Sequence, residues 1–147
     1  AVFFAHMEEI DLCWRLRLMG YRIMAVPQAE VYHYGGASLD SSSPRKLYLN
    51  YRNNLLMMYK NLPTDIRSWR IFRRMVYDGI SAVKYLVSGK WAFVKAVWNA
   101  HGDYRKMKKN YHTQHTQNCL NDLPQGQVNI VLDYFLRGKK RYTDVIK

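Results

Sequence analysis

The sequence has few cysteines, no long apolar run and, past its opening, no glutamate. Its two cysteines in 147 residues, Cys13 and Cys119, sit in dissimilar surroundings and match no metal-ligand or redox spacing. That excludes a disulfide-stapled secreted domain and points to a reducing compartment, with the cytoplasm expected. No stretch of eighteen uninterrupted apolar residues occurs, so no transmembrane helix is expected. A charged n-region followed by an apolar h-region is also lacking, so there is no signal peptide to read. No internal repeat is visible. The apolar opening, Ala1-Val2-Phe3-Phe4-Ala5, needs a partner strand or helix to cover it, as in a fragment of a larger chain.

Glutamate occurs only at Glu8, Glu9 and Glu30. The net charge of +12 is therefore uneven: residues 1–40 carry −2 and residues 41–147 carry +14. An acidic segment joined to a basic extension favours anionic partners for the extension. A chain of this length is one domain in size and can bury a core.

Periodicity predicts a first helix over about 7–19, with Ile10, Cys13, Trp14 and Leu18 on an apolar stripe, and Gly20 is suited to end it. Residues 21–26 read as a short strand stopped by Pro27, and residues 29–33 as a second extended piece running into Gly35-Gly36. Ser38 to Pro44 reads as a loop. Helices follow over about 45–61, 66–88 and 91–111, and Pro44 is placed to open the first of them. Residues 112–127 read as a polar loop, 128–136 as an apolar docking segment, and 137–141 as a basic tail.

Glu8, Glu9 and Asp11 crowd the first helical turn. Acids there are favoured by the helix dipole, by about 0.3–1 kcal/mol each when exposed. One helix start rarely needs three. Asp11 has Arg15 as an i+4 partner, but Glu8 and Glu9 have none nearby. Close carboxylates suit one of them to take a proton.

The stretch Phe3-Phe4-Ala5-His6-Met7-Glu8-Glu9-Ile10-Asp11-Leu12-Cys13-Trp14-Arg15 resembles the E-D-x-D-L-x-x-R segment of family 2 glycosyltransferases, in their rhamnosyltransferase-like bacterial branch. Gly20-Tyr21-Arg22-Ile23, Val26-Pro27, Val31-Tyr32-His33-Tyr34-Gly35-Gly36-Ala37-Ser38 and Tyr51-Arg52-Asn53 are similar to that branch in order and spacing. The similarity is close over about residues 1–62 and looser beyond.

The resemblance implies an inverting hexosyltransferase of the GT-A fold, moving a sugar from a nucleotide-sugar donor to a glycan or lipid-linked acceptor in cell-surface polysaccharide synthesis. It makes Glu9 the base, where the family more often has Asp, and leaves Glu8 and Asp11 open for that role. It gives Arg52 and Trp14 to substrate binding. His33 would complete a Mn²⁺ or Mg²⁺ site in the full-length enzyme. The Asp-x-Asp that supplies the other ligands is absent from this sequence, so the donor-binding half is expected to precede it, and the fragment alone is expected to hold no metal and to be inactive. The expected fold class is mainly α with a short β pair (α+β). Residues 1–43 form the end of the catalytic domain and 44–147 a basic helical extension.

Basic residues interleaved with Trp and Tyr admit three readings. They can solvate one face of packed helices, sit at a membrane surface, or neutralise nucleic-acid phosphates. No helix-turn-helix, zinc-finger or RNA-recognition signature accompanies the charge, which counts against nucleic acid. The competing functional class is a non-enzymatic helical module that binds anionic surfaces.

Overall fold

The computed structural model describes residues 3, 5–32, 43–111, 130–141 and 144. The chain forms two compact units, Ala1–Thr116 and Gln117–Lys147. In the first, α1 (Glu8–Leu18) precedes three longer helices, α2 (Pro44–Asn61), α3 (Thr64–Val87) and α4 (Trp91–Met107), closed by a 3-10 turn at Lys108–Asn110. Among the described residues of the second is the short helix α5 (Ile130–Phe135). There the Asp133 carboxylate accepts from Arg137 at 3.1 Å and lies 3.3 Å from Lys139 Nζ.

The described residues contain no strand, which corrects the expected α+β class: helix is their only regular secondary structure. Residues 21–26 and 29–32 flank a turn in which Ala29 N–H donates to Val26 O at 3.0 Å, but no ladder forms across it. Tyr21, Ile23, Met24, Val26 and Val31 stay exposed. A two-stranded ribbon is marginal without a third strand or a packed face, and the described residues supply neither.

Helix boundaries follow local chemistry. Gly20, at φ 85°, ends α1 with Tyr21 N–H donating to Leu16 O and Gly20 N–H to Arg17 O, the paired bonds of a Schellman cap. Ser43 Oγ accepts from Lys46 N–H at 3.1 Å, and Pro44 occupies the first helical position of α2. Ser43→Ala is expected to cost about 1 kcal/mol, read as a lower urea midpoint at an unchanged slope. Pro63 then separates α2 from α3.

The core lies where α2, α3 and α4 meet. Leu55, Leu56, Ile71 and Tyr104 form one buried cluster, and Tyr51, Val97 and Ala100 a second. Polar ties cross the same interfaces. Tyr48 O–H donates to Asp103 Oδ2 at 2.7 Å, joining α2 to α4. Asp78, buried on α3, accepts from Arg74 Nε at 2.7 Å and lies 3.0 Å from His101 Nε2 on α4.

The buried face of α1 is not the one its apolar spacing predicts, and α3 carries apolar residues on two faces. On α1, Ile10, Leu12 and Cys13 are exposed, and the single buried residue is Asp11. On α3, Ile71 and Asp78, seven positions apart, share the buried face, whereas Ile80, Val83 and Val87 point away from it.

Candidate functional site

The lead-in to α1 is strained and pinned. His6 and Met7 both have left-handed backbone, at φ 68° and 71°. Such residues cost about 1–3 kcal/mol each and persist where the surroundings over-determine them. The determinant is Asn53, fully buried on α2: its Nδ2 donates to Ala5 O at 2.8 Å and to His6 O at 3.0 Å. Its Oδ1 accepts from Arg52 Nε and Nη2 at 3.0 and 2.9 Å, and Arg52 Nη1 donates onward to Tyr48 O–H at 3.2 Å. Asn53→Ala is expected to destabilise the first unit by about 1–3 kcal/mol, because the carbonyls of Ala5 and His6, in the partly buried lead-in, lose their donor. Chemical denaturation of the variant measures that loss.

One turn further on, Asp11 closes the contact between α1 and α2. It is only 3 % exposed, and both its oxygens lie 2.8 Å from Lys60 Nζ. Asn61 Nδ2 donates to Oδ1 at 2.8 Å and Arg15 Nε to Oδ2 at 3.0 Å. The Lys60 ammonium also lies 4.9 Å from the centre of the Phe3 ring and 5.8 Å from that of Tyr111, so aromatic faces add to its partners. Burial pushes the Asp11 carboxyl upward. The hydrogen bonds from Lys60, Asn61 and Arg15 and the charge of Lys60 outweigh it and hold the pKa below the ordinary aspartate range. A carboxylate so held is a poor proton acceptor and a strong anchor.

Glu8 and Glu9 stand differently. Glu9 is exposed and makes no hydrogen bond or ion pair among the described residues. Glu8 is half-buried, and its Oε2 is buried without a hydrogen-bond partner, as is His6 Nε2 two residues before it. Buried polar atoms without partners are scarce in folded proteins and mark places where a further group can bind.

The structure thus brings Glu8, Glu9 and Asp11 into one turn and sets Arg52 and Asn53 beneath its lead-in. Trp14 is half-buried on the next turn of α1. His33 lies outside the described residues. Among the described residues, no group of three His, Cys, Asp or Glu side chains offers a metal site. Lys60, Asn61 and the clamping role of Asn53 were not read as part of the site from sequence. Asn53 had a signal in the Tyr51-Arg52-Asn53 block, but Lys60 and Asn61 had none, being 49 and 50 positions from Asp11.

Compared with protein-family models, curated proteins and solved structures, the chain matches none. No helix among the described residues is long and apolar enough to cross a membrane.

Proposed function

We propose that this chain carries the acceptor-side end of an inverting glycosyltransferase. Glu9 takes the proton of an acceptor hydroxyl as its oxygen forms a bond to the anomeric carbon of a nucleotide sugar. The bond from that carbon to the diphosphate oxygen breaks on the opposite face, and the nucleoside diphosphate departs with its electron pair. Glu8 is the second carboxylate of the pair.

The observation that carries this reading is the division of labour among three acids in one turn. Asp11 is committed to Lys60, Asn61 and Arg15, while Glu9 is exposed and Glu8 keeps one oxygen unpartnered. Pinned backbone strain just ahead of them is a feature that clusters at functional sites. The likeness of the surrounding blocks to family 2 glycosyltransferases supplies the reaction class. In this reading Arg52, oriented by Asn53 and Tyr48, is the cation for the donor diphosphate, and Trp14 is the aromatic for a sugar ring.

The described residues gather no ligand set for the Mn²⁺ or Mg²⁺ ion that the likeness implies, and the proton transfer assigned to Glu9 runs through no metal. The site of action is a reducing, cytoplasmic compartment. The test is acceptor-dependent release of nucleoside diphosphate from a panel of nucleotide sugars by the protein as encoded by its gene. Glu9→Gln is expected to abolish release, and turnover within a few-fold of wild type in that variant removes Glu9 as the base.

A further inference from the structure

A surface helix normally turns polar residues outward, and α3 does the reverse. Its buried side carries Ile71 and Asp78. Trp69, Phe72, Val76, Ile80, Val83 and Val87 recur at intervals of three and four, which puts them on the opposite side for the length of the helix. All six are exposed, from 45 % at Val76 to 84 % at Val87. Scattered exposed apolar residues are ordinary, but a continuous stripe marks an interaction surface.

The charge around the stripe is mainly positive, with exposed Asp65, one turn before Trp69, as the exception on that face. Arg73 and Lys84 flank one edge of it, with Arg70 and Tyr77 beyond them. Residues 44–111 hold fifteen Lys and Arg against three Asp, and one of those three, Asp78, is buried with Arg74 and His101. Phe72 also lines an open cleft whose other walls include Arg67, Arg105 and Lys108. Apolar stripe and cationic cleft are therefore continuous.

We propose that the outward face of α3 is an in-plane docking surface for an anionic phospholipid bilayer. Trp69, Phe72 and the aliphatic residues enter the headgroup–acyl boundary, and Arg70, Arg73, Lys84 and the cleft meet lipid phosphates. Aromatic and aliphatic residues on one face with Lys and Arg beside them are what interfacial helices use. A second copy of the chain fits this face badly, because two strongly like-charged surfaces would be brought together. A neutral partner leaves the flanking cations unmatched. This surface does not depend on the sugar-transfer reading.

Flotation of the whole chain with vesicles of phosphatidylcholine containing about one-third phosphatidylglycerol, over a salt series, tests it. Expected are binding that weakens as salt rises, little binding to phosphatidylcholine alone, and loss of binding in Ile80→Asp/Val83→Asp, both exposed positions, with helical circular dichroism unchanged. Lys84→Glu is expected to weaken binding at least about fivefold. Any of three results overturns the proposal: no flotation of the wild type, equal affinity for neutral vesicles, or salt-sensitive DNA retention without preference for anionic lipid. A concentration-dependent dimer that Ile80→Asp dissolves, in a chain that does not float, overturns it too.

Discussion

Asp11→Ala is expected to lower the stability of the first unit by about 3–5 kcal/mol, the cost of removing one member of a buried ion pair. Lys60 keeps 18 % of its side chain exposed, too little to recover full hydration when the carboxylate is gone. Asn61 Nδ2 loses one of its two acceptors and keeps Met57 O at 3.0 Å. Arg15 contributes little, since its side chain is 45 % exposed and an exposed pair is worth about 0–1 kcal/mol. Thermal unfolding reads the loss as about 4 °C per kcal/mol for a unit of this size. Asp11→Leu combined with Lys60→Met is expected to recover much of it, because apolar replacement of both partners leaves no uncompensated charge.

The same clamp sets a pH dependence. The folded-state pKa of Asp11 lies below its unfolded value, so the ionised form is the one that folding favours. Its contribution is fully present above about pH 4, the unfolded aspartate value, and is lost as pH falls through the lower folded pKa. Unfolding free energy followed from neutral pH into that acid range is expected to fall less steeply in Asp11→Asn than in the wild type.

That Asp11 ties α1 to α2 was not legible in the chain. Apolar periodicity predicts which face of a helix is buried only when apolar contacts do the burying. In α1 a carboxylate makes the contact, and the two partners that tie it to α2, Lys60 and Asn61, lie beyond any local spacing rule. In α3, apolar residues occur on two opposite faces, and a one-sided reading merges Ile71 with Ile80 and Val87. Helix limits were legible where they rest on neighbouring residues: Gly20 after α1, Pro44 at the start of α2 and Pro63 after it. The strand pair failed for the converse reason. β-branched and aromatic residues at 21–26 fit a pleated surface, but a strand exists only with a non-local partner. At the site, the three acids, Arg52 and the Arg15 partner of Asp11 were visible in the sequence, whereas the burial of Asp11 against Lys60 and Asn61 was not.

The difference between bound and free acids gives the sugar-transfer reading its sharpest test. Glu9→Gln is expected to reduce turnover about 10²–10⁴-fold, the usual contribution of a general base. Stability should stay within about 0.5 kcal/mol of wild type, because Glu9 is exposed and pairs with nothing among the described residues. A role in compensating the helix dipole predicts the opposite pattern: a stability loss of up to about 1 kcal/mol and unaltered turnover. Glu8→Gln separates the two glutamates. If it removes turnover and Glu9→Gln does not, the carboxylate with the buried, unpartnered oxygen is the base. Asp11→Asn provides the third comparison, since a clamp moves the unfolding midpoint first and affects turnover only through the fraction folded. A base moves kcat at an unchanged midpoint, and measuring both quantities on the three variants assigns each acid of the turn to proton transfer or to folding.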